Sequence, residues 1–501
     1  MKLRKIALAC AALAAAPAFA LTNAQLSGAT ELWMTGASAP TNNVYQGAMS
    51  LCAGVKYKNK AGVVTTNPGT RDIHIYLQAS GSNALFPGQG SGNSVAYACQ
   101  IDTDDDRAGA LEGTFVVIYH TVEGGSFNAY TPALKAVGDT NPEIPATLPR
   151  IQKASTLSET GKCAAGGGTV VDMVISGESN PTGVKRFTGC GVANVTLGSE
   201  PTVAPADGGP VHSIGGYSDT EYKINQANLA IGTDLSAIGG EAPTGVAQGF
   251  GLAVSFPLYY QLQKNTFGAS STCVTTGSAA APVLTGACQP NISSAKYTNL
   301  VAENLVPFAD ASTFGAASLP GSGQIAVHRR VPTSGTQSSS NLFFLNKPCA
   351  QGPLQGELAL QGAGTVGNVR TIAHSGSGDV RNGVIASSTA GEFGLGWLSL
   401  ENARGSAAWA FVKLNGVSPN FLADGSADSL QRENAITGAY TAVNDLVSFT
   451  ATADAPVSAP VEGADFINAV NASLGNPNIT NLRGLFVASA TRGGNSCAPL
   501  Q

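Results

Sequence analysis

Arg330, Ser334, Gly335 and Thr336 lie within seven positions of one another and are of the types that hold an anion. An arginine presents a planar fork of N–H donors that matches a phosphate, sulfate or carboxylate. The Ser and Thr hydroxyls add donors, and Gly335 lets a ligand approach the backbone closely. The elements that would position these groups are legible around them. Ile325 and Val327 alternate with their neighbours as in a short strand, and Pro332 to Gly335 break it with turn formers. The polar run Gln337 to Asn341, followed by Leu342, Phe343, Phe344 and Leu345, then reads as a helix that Ser334 or Thr336 can cap. A helix start offers free N–H groups and a partial positive charge to an anion. The same residues also compose an ordinary capped helix behind a surface arginine, and this stretch alone does not separate the two readings.

The grammar of strand, small-residue turn and helix start recurs. Glu31 to Thr35 leads into Gly36-Ala37-Ser38-Ala39-Pro40, and Asp72 to Gln78 leads into Ala79-Ser80-Gly81-Ser82. Gly215-Gly216-Tyr217-Ser218-Asp219 places an acid at a strand end after glycines. Thr114 to Tyr119 is a further strand, followed by Gly124-Gly125-Ser126. Other chemistries find less support. Asp102-Thr103-Asp104-Asp105-Asp106-Arg107 starts like a calcium loop, but Arg107 stands at the glycine position and Gly113 where the closing Glu belongs, so it reads as a solvated acidic turn. No G-x-S-x-G elbow and no H-E-x-x-H helix occurs, and the five histidines lack ligand spacing, His328 and His374 reading as structural. The expectation is a protein that is not an enzyme and needs neither metal nor cofactor.

Met1 to Ala20 has a basic start, an apolar run and an A-x-A site at Ala18-Phe19-Ala20, the pattern of a secretory signal peptide cleaved after Ala20. No cysteine follows that site closely and no later stretch is apolar enough to span a bilayer, which predicts a periplasmic or secreted protein without a membrane anchor. Removing the segment takes three of 27 Lys+Arg and none of 32 Asp+Glu, leaving a net charge of −8. That balance argues against nucleic acid and anionic membranes as partners. Eight of nine cysteines remain, an even number that predicts four disulfides. Pairing sequence neighbours gives Cys52–Cys99, Cys163–Cys190 and Cys273–Cys288, and leaves Cys349–Cys497.

Strands alternating with helices predict α/β layers with largely parallel sheets. Gly249 to Tyr260 reads as a buried strand, Gly394 to Glu401 as another, Gly463 to Leu474 as a helix and Leu485 to Ala488 as a closing strand. His374 to Ala386 leads a short helix. The Gly-, Thr-, Ser- and Pro-rich part from about Pro142 to Pro210 reads as an elaborated surface region.

Taken in order, these motifs resemble the periplasmic phosphate-binding proteins that serve ABC importers. Thr35 to Pro40 matches that family's first loop, Gln78 to Ser82 its second, Gly216 to Asp219 its Gly-x-Ser-Asp loop, and Val327 to Thr336 its arginine and serine stretch. Gly378 to Ala386, followed by Gly394 to Trp397, matches the stretch before the second interdomain crossover. The resemblance covers about two-thirds of the chain. It departs in a long interval between Ser82 and Asp219, a shorter first loop, and Pro332-Thr333 where the family has an acid that steadies the arginine. It implies a two-lobed type 2 periplasmic-binding-protein-like fold, α/β with hinge-linked domains. One domain would be discontinuous, 21–248 plus 402–501 with an insertion at about 100–210, and the other would be 249–401. It also implies phosphate or a similar oxyanion held in the interdomain cleft by Ser38, Ala39, Ser82 and Asp219 from the first domain and Arg330, Ser334, Gly335 and Thr336 from the second, with an ABC permease as partner. The other class of function open to such a chain is an extracellular interaction protein on the same scaffold without ligand transport.

Overall fold

The computed structural model describes residues 21–501 apart from 60, 79–91, 158–162, 167–182, 205–206, 208, 351–354, 403, 420–431, 453–458, 477–478, 480–484, 488–490 and 501. The expected signal segment and Ser82 therefore lie outside the described residues. The elements that position the candidate site are, in chain order, β1 (Thr30–Gly36), α1 (Thr41–Met49), β2 (Ile73–Gln78), β3 (Ser94–Gln100), β4 (Phe115–Thr121), β5 (Val184–Cys190), β6 (Ser213–Ser218), α2 (Tyr222–Leu229), β7 (Gly239–Ser255), α3 (Phe256–Phe267), α4 (Ser294–Val301), β8 (Ile325–Arg330), α5 (Gly335–Leu345), β9 (Val369–His374), α6 (Ser377–Thr389), β10 (Phe393–Ser399), β11 (Val443–Ala451) and α7 (Pro460–Leu474).

The class is α/β. Hydrogen-bonded neighbours run β9-β8-β10-β7-β11-β6-β1-β4-β3-β2-β5. The strand β7 is 17 residues long and serves two neighbourhoods: Gly239 to Gly249 pair with β11, whereas Phe250 to Val254 pair with β10. The apolar core divides in the same way. One cluster gathers Leu32, Val44, Ile75, Ile118, Leu446 and Phe466, and another gathers Phe250, Leu252, Tyr259, Val327, Phe344 and Trp397.

The sheet is mixed, where the alternation of strands and helices predicts a largely parallel one. β1 is parallel to β4 and β6, and β8 to β9 and β10. The hairpin-like run β2-β3-β4 is antiparallel, as are the pairings of β7 and β11. Between β3 and β4 lies only the short turn Gly109–Leu111, too little for the crossover that a parallel pair needs. The segment 115–121, inside the interval between Ser82 and Asp219, thus lies directly beside β1. Gly249 to Tyr260 is not one strand. It ends at Ser255, and α3 starts with Pro257 in its first turn, where the missing N–H costs nothing.

The helix α7 begins three residues earlier than expected, and the closing strand is limited to Leu485–Phe486. All four expected cysteine pairs are at bonding distance, with Cα separations of 5.9, 4.5, 5.3 and 5.2 Å. Among the described residues no helix is long and apolar enough to cross a membrane.

Candidate functional site

The carboxyl ends of parallel strands are where α/β sheets place ligand sites, because the chain there turns into loops and helix starts. Here β1, β4 and β6 run side by side and end in the three loops that carry Ser38, Ser126 and Asp219. β8 and β9 end facing them with Arg330, the start of α5 and the start of α6.

Ser334 is the N-cap residue of α5, but its side chain makes no capping bond, and its buried Oγ has no hydrogen-bond partner. The first acceptor in that helix is Ser334 O, which takes Ser338 N–H at 3.0 Å. Helix geometry leaves the N–H groups of Gly335, Thr336 and Gln337 without an intrahelical acceptor. This start is pressed against the opposite loops. A Cβ on Gly335 would stand 2.7 Å from Ser126 Oγ and 3.0 Å from Asp219 Cβ. Gly125, at φ +109°, packs on Ser334, and only a glycine takes that backbone conformation without strain.

Asp219 is 5% exposed. Its Oδ2 accepts from Ser126 Oγ at 2.6 Å, and its Oδ1 has no partner. It does not cap α2, whose N-cap is Glu221. Burial pushes the Asp219 carboxyl up to about 6, with the Glu401 charge adding to the rise and the Ser126 bond and Arg330 charge opposing it. Arg330 donates from Nη1 to Ser377 Oγ at 2.7 Å and from Nη2 to Ser375 O at 2.7 Å, while Nε lacks a partner. Burial lowers it to about 10, and Asp219, Asp379 and Glu401 hold it up. It therefore keeps its charge at neutral pH. Arg330 and Asp219 attract one another without forming an ion pair among the described residues.

Asp219, Ser334 and Gly335 are brought together, with Arg330 and Thr336 beside them, all five buried or nearly so. Ser38 and Ala39 are half-buried at the end of β1, and Thr41 Oγ1 is committed to Ser38 O at 2.7 Å. Neither residue hydrogen-bonds to Arg330 or Ser334. β2, whose end leads toward Ser82, is separated from β1 by β3 and β4. The serine that touches Asp219 is Ser126, at the end of the strand next to β1. Sequence reasoning missed it as a site residue, although Gly124-Gly125-Ser126 repeats the strand and Gly/Ser-turn pattern. Ser377, which holds Arg330, and Glu401, held by Ser399 Oγ at 2.5 Å and Gln248 Nε2 at 3.1 Å, were missed as well. Pro332-Thr333 brings no acid to Arg330. Thr333 instead donates to Gly124 O at 2.8 Å and accepts Phe127 N–H at 3.1 Å, joining the two sides.

No protein-family model and no curated protein matches the chain. Solved structures do, two of which follow. One is named as a phosphate ABC transporter substrate-binding protein with bound phosphate, from Clostridium perfringens: 13% identical, TM-score 0.28, covering 52% of this chain and 80% of its own. The other is named as a phosphate binding protein, from Planctomyces limnophilus: 13% identical, TM-score 0.27, covering 50% of this chain and 68% of its own. At such scores the overlap is slight, and nothing below rests on it.

Proposed function

We propose that the mature chain is an exported solute-binding protein that captures phosphate or a similar tetrahedral oxyanion between two hinge-linked halves, 21–248 with 402–501 and 249–401. The observation that carries this reading is the uncapped start of α5. Ser334 Oγ, Asp219 Oδ1 and Arg330 Nε are buried without partners around it. Buried polar atoms normally find partners, and three orphans around one helix start imply a ligand that supplies them. In this account the N–H groups of α5 and Ser334 donate to the anion, Arg330 supplies the charge, and Asp219 accepts a proton that the ligand carries. Ser126 orients Asp219, as Ser377 orients Arg330. The crossing strands β7 and β11 would serve as the hinge. Four disulfides suit an oxidising compartment, and delivery to an ABC permease follows from the family resemblance alone.

The second reading, an extracellular interaction protein without a ligand, is favoured by the direct contacts of Thr333 with Gly124 and Phe127 across the site. Equilibrium dialysis of the mature protein against radiolabelled phosphate, with unlabelled sulfate as competitor, separates the two. Retention that excess sulfate displaces poorly is expected from the first, and absence of retention supports the second.

A further inference from the structure

Arg329 carries a second anion question, on the other face of β8. Its side chain is 4% exposed and enters the layer where Tyr297, Leu300 and Val301 of α4 pack on Val327, within the larger core of this half. A guanidinium has five N–H donors and one positive charge. Nε donates to Arg330 O at 3.4 Å, Nη1 donates to Leu360 O, and Nη2 has no partner. Among the described residues no carboxylate forms an ion pair with it, and Tyr297 is the group whose charge interaction raises it. Carbonyl dipoles satisfy hydrogen bonds but do not neutralise a charge, and a buried unpaired charge is among the costliest arrangements in a protein. The group cannot escape by losing its proton, since burial lowers it only to about 10.

Beside it is a small, partly open pocket of about 10 Å³, lined by Arg329, Tyr297, Gln337, Leu358, Leu360 and Thr371 among others. Such a small space takes a single water or a monatomic ion and is too little for a tetrahedral oxyanion or a carboxylate. Water would satisfy Nη2 but leave the charge uncompensated. We propose that this cavity is a monatomic-anion site in which a halide, chloride in ordinary salt, is the counter-charge of Arg329, bound at Nη2 between β8, α4 and α5. It is distinct from the cleft: Arg329 and Arg330 leave the strand on opposite faces, and Gln337 of α5 lines this cavity from behind the helix start. The inference does not depend on what the cleft holds.

Bromide serves as the probe. Crystals of the wild-type mature protein grown without halide and soaked in sodium bromide should show an anomalous peak within hydrogen-bond distance of Arg329 Nη2, and a cavity that is empty or holds only water after the soak overturns the proposal. In solution, thermal unfolding is compared in sodium chloride and sodium gluconate at equal ionic strength. The wild-type Tm should rise by about 2 °C per tenfold chloride beyond its dissociation constant. The variant Arg329→Met, which keeps an unbranched apolar stem and removes the charge, should lose that chloride-specific rise, and the same rise in both proteins refutes the site. If the variant does not fold, the bromide map on wild type still decides.

Discussion

Adjacent arginines on one strand are expected to differ in effect because the strand sends them to opposite layers. Arg330 is bonded to Ser377 and Ser375 and is within charge range of Asp219, and in the proposed site removing such a buried charge-assisted donor costs roughly 1.5–3 kcal/mol, about 10- to 150-fold in affinity. Arg330→Ala should therefore weaken phosphate binding by that factor in calorimetry, with Arg329→Ala changing it far less. The reverse ranking would show that the assigned cleft face is wrong. In the proposed site, Asp219 would govern selectivity. An ionised carboxylate accepts a hydrogen bond and cannot donate one, so it welcomes a ligand that brings a proton, as mono- and dihydrogen phosphate do, and repels fully ionised sulfate. The cost of that mismatch, on the order of 1–3 kcal/mol, predicts at least ~10-fold preference for phosphate at neutral pH. Asp219→Asn should narrow the ratio because the amide donates to sulfate. Since burial raises Asp219 to about 6, acidifying the wild type below that value protonates it and should narrow the ratio in the same direction. A ratio unchanged by mutation and by pH removes Asp219 from the site.

At the scale of the element, the start of α5 is a surface that must meet the loops opposite it. Ala is a better helix former than Gly, so Gly335→Ala favours the isolated helix by a few tenths of a kcal/mol up to about 1. Its methyl, however, would stand within 3.0 Å of both Ser126 and Asp219. The expected outcome is an unchanged or slightly raised Tm together with a loss of anion affinity. Equal affinity in variant and wild type would contradict the close approach. This element was legible in the sequence because strand, turn and helix start are local: the order of residues from Ile325 to Leu345 contains all three. Ser126 was not, because its contact with Asp219 spans 93 positions and exists only because β4 lies beside β1. No local signal encodes strand order. The apolar run from Gly249 to Tyr260 was misread for a related reason, since a buried strand and a buried helix look alike over a few residues, and only Pro257 marked the change.

For the whole molecule, the four disulfides close loops of very different length. The chain-entropy model assigns about 5 kcal/mol to the 148-residue span of Cys349–Cys497 and about 3 to the 15-residue span of Cys273–Cys288. Replacing the first pair by serines should lower Tm more than replacing the second, and labelling of the unfolded, unreduced mature protein should find no free thiol. Two or more labelled cysteines, or the opposite order of Tm, would contradict the framework. Acid is the other global stress. Burial lowers His74 and His120 to about 4, and His328 to about 3 with the help of His374 and Arg370. Depressed values mean that these groups contribute stability above their ordinary 6.5 and lose it as pH falls. Asp219 and Glu241, raised to about 6 and about 7, act in the opposite sense, contributing most at low pH. Asp72, Asp102, Asp207, Glu221 and Glu401 are raised as well, so the histidine part is read from the buried His120: Tm of His120→Gln should fall less than that of the wild type, or rise more, between pH 6.5 and about 4. The same change of Tm with pH in variant and wild type would show that His120 is not buried neutral.

The central claim is that the orphaned groups around the start of α5 await an oxyanion, and a calorimetric titration of phosphate into the phosphate-stripped mature protein tests it most directly. The account predicts heat that saturates at about one phosphate per chain and disappears in Arg330→Ala. No heat from a folded wild type, confirmed by the absence of any phosphate-dependent rise in Tm, would contradict it.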